Sequence, residues 1–205
     1  MNVAALRQPP PRARTVTIEF AEKSIDVAYH RLGELLHDDA EMRLDRAIGN
    51  VVEEALDAAE LTKAQIENMA LIIGTSSMDI SVSEAIYRRQ LAEQSNAKPM
   101  TGNIRIGALA DKTRQRFGIK GQDLTLNTAC TASANAFVYA DRLVRSGREN
   151  HVLVIGVEVF NLITAMGFSS LELLTPTQDH RRTPFAERQP VSRSVEWFHC
   201  RRRQQ

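Results

Sequence analysis

Two cysteines in 205 residues, Cys130 and Cys200, are too few for a disulfide framework, and that scarcity fits a reducing, cytoplasmic setting. Long apolar runs are missing too. The longest, "MALII" and "HVLVIGV", fall far short of the roughly 20 residues that cross a bilayer, so no membrane span is expected. The first sixteen residues, "MNVAALRQPPPRARTV", lack the apolar centre of a secretory signal, and their proline triplet resists the amphipathic helix of an organelle presequence. They are expected to form a disordered lead. Internal repeats and low-complexity tracts are absent, and a composition 43% hydrophobic and 25% charged is that of an ordinary globular protein.

Charge of one sign is also lacking, with 26 basic against 25 acidic residues. The balance conceals an uneven distribution, because ten of the basic residues are arginines before Thr15 or from Arg181 onward. Residues 16 to 180 hold 16 basic and 23 acidic side chains, a net charge of −7, which argues against nucleic acid as a partner of the folded part. The arginine-rich ends read as solvated tails.

Hydrophobic periodicity organises the middle. In "DRAIGNVVEEALDAAE", residues 45 to 60, Ala47, Ile48, Val51, Ala55, Leu56 and Ala59 recur at helical spacing with acids on the other face. "LTKAQIEN" reads as a connector. "MALIIGTSS" is a continuous apolar run ended by Gly74, suited to a strand buried on both faces. A helix is expected over about residues 80 to 92, a loop at "AKPMTG", and a helix closing near Gly118. The strand "DLTLNTA", a helix from Ala132 to Ser146 closed by Gly147, and the strand "HVLVIGVEV" follow. Strands alternating with helices indicate a layered α/β fold with a mainly parallel sheet and right-handed crossovers. Beyond His180 the chain has neither a strand nor a helix period, and it is expected to be irregular.

Cys130 falls at the joint between "DLTLNTA" and the small-residue start of the next helix. No glycine flanks it, which excludes the Gly-x-Ser-x-Gly type of nucleophile elbow. Two readings stay open from the residues alone. A lone cysteine in such a chain is often a small buried hydrophobe. A cysteine at a strand-to-helix corner is instead exposed at the C-terminal edge of a sheet, where helix amides favour the nucleophilic thiolate.

The run "NTACTASANAFVYADRLVRSGRENHVLVIGVEVF", followed by "MGFSSLELLTP", resembles the nucleophile region of the β-ketoacyl synthases of the thiolase superfamily. The resemblance continues upstream through "FGIKGQDLTLNTAC", "LIIGTSS" and "LDRAIGNVVEEALDAAELTKAQIE", and covers about residues 42 to 187. It implies the N-terminal half of a thiolase-like layered fold, divided into a lead over 1–16, a synthase N-terminal domain over 17–180 and an arginine-rich tail over 181–205. It implies an acyltransferase in fatty acid or polyketide synthesis with Cys130 as acyl acceptor, the Cys130 N–H in the oxyanion hole, and Phe168 of "MGF" as a wall of the acyl pocket. A core aromatic is the alternative for Phe168.

No cofactor or metal of its own is implied, since substrates arrive on the phosphopantetheine of acyl carrier protein. The family dimerises through the strand leading to the nucleophile, so a homodimer or a heterodimer with a synthase subunit is implied. The basic set Lys112, Arg114, Arg116 and Lys120 is read as a solvated helix face, with carrier-protein docking as the other possibility.

Condensation in the family uses two histidines and a lysine from the second half of a chain about twice this length. None of His30, His37, His151, His180 and His199 stands in such a context. "HRRTPFAERQ" resembles the start of the family's next segment, after which the sequence departs into "PVSRSVEWFHCRRRQQ". A frameshift with an out-of-frame tail is the expectation, along with a role as non-catalytic partner or truncated remnant as alternatives to a working enzyme.

Overall fold

The structure, a computed structural model, describes residues 14–20, 23–29, 40–93, 107–171 and 199–200. The chain divides into two compact units, Met1–Leu36 with Leu162–Val195, and His37–Asn161 with Glu196–Gln205.

Among the described residues, the first unit contains an antiparallel hairpin of β1 (Arg14–Phe20) and β2 (Lys23–Tyr29), together with α6 (Leu162–Ser170). Arg14, Thr15 and Val16, assigned to the lead from sequence, are the first residues of β1 and pair with Tyr29, Ala28 and Val27. The period-2 alternation of "TVTIEF" and "KSIDVAY" carries this pairing: Ile18 is buried while Thr17 and Glu19 are exposed.

The second unit runs α1 (Ala40–Ala59), α2 (Lys63–Asn68), β3 (Ala70–Gly74), α3 (Ile80–Ala92), α4 (Ala108–Phe117), β4 (Asp123–Leu126), a 3₁₀ turn (Ala129–Thr131), α5 (Ala132–Arg145), β5 (Val152–Gly156) and the two-residue β6 (His199–Cys200). Its sheet has the order β4-β3-β5-β6, with β4, β3 and β5 parallel and β6 antiparallel. The α/β class with a mainly parallel sheet expected from the sequence is thus present.

Two departures are instructive. Residues 63 to 68, read as connector, form α2, because Thr62 and Gln65 make a capping box in which each side chain satisfies the other residue's backbone N–H. His199 and Cys200, read as irregular, pair with Gly156 and Ile155. Strand pairing at a sheet edge uses backbone groups that every non-proline residue carries, so a segment without strand pattern can still occupy it. The remainder of the tail lies outside the described residues.

Side-chain alternation on the strands sorts the core into two layers. Leu71 and Ile73 of β3, with Leu153 and Ile155 of β5, join Leu44, Ile48 and Val52 of α1, Val82 of α3 and Leu109 of α4. Ile72 and Val154 point the other way and meet Ala136, Ala140 and Leu143 of α5. All five residues of β3 are buried, as the continuous apolar run requires of a strand covered on both faces. Among the described residues of this unit, α5 is the only helix on its face of the sheet.

Candidate functional site

Three parallel strands end at one edge of the sheet, and the segments leaving them carry the polar residues of this unit. Thr75, Ser76 and Ser77 follow β3, Asn127 and Thr128 follow β4, and Glu158 follows β5. Cys130 stands among them in the 3₁₀ turn between β4 and α5, and it is exposed with a free thiol. The buried-hydrophobe reading of this cysteine is therefore removed.

The turn is held in an uncommon conformation. Ala129, immediately before Cys130, has φ of +50°, the left-handed region that residues with a Cβ adopt rarely and at a cost of roughly 1–2 kcal/mol. Hydrogen bonds over-determine the turn. Thr131 donates its N–H and its hydroxyl to the Thr128 carbonyl, at 3.3 and 2.7 Å. Asn135, one turn into α5, donates Nδ2 to the hydroxyl oxygens of Thr128 at 2.8 Å and Thr131 at 3.3 Å. Thr131, the N-cap of α5, leaves the helix without a side-chain cap on its first amides.

Neighbouring strands brace the turn from behind. Thr75 N–H donates to the Leu126 carbonyl at 3.1 Å, and Val157 N–H donates to that of Gly74 at 3.1 Å. Asn127 Nδ2 donates to the Ser76 carbonyl at 3.2 Å. The Glu158 carboxylate accepts from the Ser76 N–H and, at 2.7 Å, from the Ser77 hydroxyl, so one acid ties the β3 exit to the β5 exit.

Close approach of α5 to the sheet needs glycine twice. A Cβ on Gly74 would sit 2.5 Å from the Ala132 carbonyl oxygen, and one on Gly156 would sit 2.6 Å from Ser133 Oγ. Ser133 uses this proximity to donate Oγ to the Gly74 carbonyl at 3.3 Å. Sequence reading stopped at Cys130 and missed Ser76, Ser77, Asn127, Asn135 and Glu158. The signal available was the recurrence of short polar residues directly after each apolar strand.

Other residues singled out from sequence lie elsewhere. Phe168 sits on α6, in the other unit, with 37% of its surface exposed, which is more than a core aromatic retains. His151 precedes β5 at the N-terminal edge of the sheet, opposite to the edge carrying Cys130. His30, His37 and His180 lie outside the described residues. In the basic set, Lys112, Arg116 and Lys120 are exposed, as expected of a solvated face, and three of the four residues also make surface ion pairs. Arg114 pairs with Asp123 at 2.6 Å, Arg116 with Asp45 and Glu53 at 2.9 Å each, and Lys120 with Glu67 at 2.9 Å. These pairs tie α4 and its exit to β4, α1 and α2. Lys120 also holds the Glu67 carboxyl below its ordinary value of 4.5, first by hydrogen bonding and then by charge. Among the described residues no group of three or more His, Cys, Asp or Glu side chains is placed to hold a metal ion, and no helix is long and apolar enough to cross a membrane.

Comparison with known proteins bears on this arrangement. The family model "Beta-ketoacyl synthase, N-terminal domain" matches residues 38–189. The non-reducing polyketide synthase pks11 of Talaromyces marneffei is 31% identical over 137 residues, covering 64% of this chain and 5% of that protein. The lovastatin diketide synthase lovF of Aspergillus terreus is 26% identical over 161 residues, covering 73% of this chain and 6% of that protein. The solved ketosynthase ApeO, in complex with its chain length factor ApeC from Xenorhabdus doucetiae, aligns with a TM-score of 0.53 at 24% identity, over 80% of this chain and 43% of that chain. The chain thus spans about a twentieth of these curated relatives and under half of the solved ketosynthase. The likeness to the solved ketosynthase gives the fold, thiolase-like, and the family match over residues 38–189 establishes that this chain belongs to the β-ketoacyl synthase N-terminal domain family.

Proposed function

We propose that the chain is the acyl-accepting half of a β-ketoacyl synthase of polyketide type, with Cys130 as the nucleophile. The observation that carries this reading is the exposed thiol on a hydrogen-bonded, left-handed turn at the C-terminal edge of the sheet, beside uncapped amides of α5. The polyketide assignment draws on the relatives just named.

In the proposed step the Cys130 thiolate attacks the carbonyl carbon of an acyl group borne as a thioester on the phosphopantetheine of acyl carrier protein. A new bond forms from Sγ to that carbon, the carbon–sulfur bond to the pantetheine breaks, and the proton from Cys130 ends on the released pantetheine thiol. The Cys130 N–H stabilises the oxyanion that develops meanwhile. The chain needs no cofactor of its own for this transfer. Decarboxylative condensation with a malonyl thioester then calls on two histidines and a lysine of the family's second half. His151, at the opposite sheet edge, is not placed to serve.

The outer edge of β4, where the sheet order ends among the described residues, is the proposed surface for a homodimer or for a heterodimer with a synthase subunit. The solved ketosynthase ApeO, in complex with its chain length factor ApeC, supports the heterodimer and a second reading in which the chain is the non-catalytic member.

Mass spectrometry after incubation with labelled acyl-[acyl carrier protein] tests the reading. An acyl adduct on Cys130, abolished in Cys130→Ser, is expected. An unmodified Cys130 in a chain that binds a complete synthase would replace the nucleophile reading with the partner reading.

A further inference from the structure

The turn that carries Cys130 is fastened to α5 through one side chain. Asn135 Nδ2 carries two hydrogens and lies 2.8 Å from Thr128 Oγ1 and 3.3 Å from Thr131 Oγ1. Those threonines bracket the cysteine, two residues before it and one after, and Asn135 follows Thr131 by four positions, about one helical turn. The bonds from Thr131 to the Thr128 carbonyl lie within the turn, whereas those from Asn135 cross from it to the helix. Among the described residues no other side-chain hydrogen bond makes that crossing.

The count of hydrogens fixes which end of the carboxamide faces the turn. The Thr131 hydroxyl has one, and the Thr128 carbonyl takes it at 2.7 Å in preference to the Thr128 hydroxyl at 3.2 Å. Thr131 Oγ1 then has only lone pairs to offer, so its partner must be a donor, which the amide nitrogen is and the amide oxygen is not. A carboxylate of the same shape would set lone pairs against lone pairs. The support is itself anchored. Ala132 and Ala136 of α5 are buried, and Ser133 donates Oγ to the Gly74 carbonyl at 3.3 Å, so Asn135 ties both threonines to β3 through a helix turn fixed on the sheet.

We propose, on the reading of Cys130 as acyl acceptor, that Asn135 is a positioning residue for the transfer. Its two N–H groups hold Thr128 and Thr131 so that Ala129 keeps its positive φ and Cys130 stays beside the first amides of α5. The step it serves is the thioester exchange described above, in which Sγ bonds to the acyl carbon as the carbon–sulfur bond to the pantetheine breaks. Asn135 governs the approach of Sγ and not the docking of the carrier, so its loss slows transfer within the complex and leaves affinity for the carrier unchanged. Alanine is a better helix former than asparagine, so Asn135→Ala keeps α5 intact and isolates the two hydrogen bonds.

In the full chain treated with acetyl-[acyl carrier protein], Asn135→Ala and the isosteric Asn135→Asp should each lower the maximal rate of Cys130 acylation by about tenfold or more, with the half-saturating carrier concentration within about twofold of wild type. NMR couplings at Ala129 should lose the values of a positive φ in both variants. Thr131→Ser keeps the hydroxyl and should match wild type. Thr131→Val should be slow, and adding Asn135→Ala to it should slow the reaction by less than the product of the two single effects. Wild-type rates in both Asn135 variants, or strictly multiplicative effects in the pair, would overturn the positioning role while Cys130 is still acylated. A wild-type chain that iodoacetamide alkylates on Cys130 but the carrier never acylates would overturn the acyl-acceptor reading, and the role in transfer with it.

Discussion

Ala129 and Cys130 show how a single backbone angle directs a side chain. At φ of +50° the chain reverses sharply enough to leave the thiol exposed beside the start of α5. Strain of this kind persists only where surrounding bonds hold it, here those of Thr128, Thr131 and Asn135. Ala129→Val places a β-branched residue at this angle and should destabilise the fold by roughly 1–3 kcal/mol in urea unfolding, with slower alkylation of Cys130. The Glu67 carboxyl makes a second residue-scale prediction. Its folded value lies below 4.5 because of Lys120, so the pair's contribution is present above 4.5 and fades as pH falls through the lowered folded value. Lys120→Met should raise the Glu67 midpoint in an NMR titration and remove its share of the acid-side loss of stability, and added salt should act in the same direction because the pair lies at the surface. The corner position of Cys130 was legible in "LTLNTACTASANAF". The polar links between the strand exits were not, because Ser76 and Glu158, which bond to each other, stand 82 positions apart in the chain.

Elements follow their local pattern where burial and period agree. The expected inward positions Ala47, Ile48 and Ala59 of α1 are buried, as are Ala140 and Leu143 of α5. The helix α3 spans Ile80–Ala92, as the sequence suggests, and α4 ends at Gly118. Helix α1 begins five residues before the expected Asp45, and Leu44 supplies the extra buried contact that continues it. The contact of α5 with the sheet depends on what is missing from Gly74. Gly74→Ala forces a Cβ against the backbone of Ala132 and Ser133, which cannot swing aside as a flexible side chain can. We expect overpacking of about 1–3 kcal/mol by thermal unfolding, accompanied by altered Cys130 alkylation because the turn is joined directly to the displaced end of α5.

At the scale of the whole molecule, α5 covers one face of the sheet and turns Val138, 51% exposed, and Tyr139, 39% exposed, outward. Exposed apolar surface of this kind promotes association. Sedimentation should show concentration-dependent self-association, reduced by Val138→Lys; a monomer with one sharp cooperative unfolding transition would contradict this. Composition and periodicity by themselves determined the α/β class, the buried strands, the helix faces and the corner that carries Cys130, because these depend on neighbours within a few residues. Only the tertiary structure decided which acids the basic residues around α4 pair with, and that Glu158 ties two strand exits together. Each of these depends on groups brought together from distant parts of the chain, and no local pattern of residues records which distant partner will arrive.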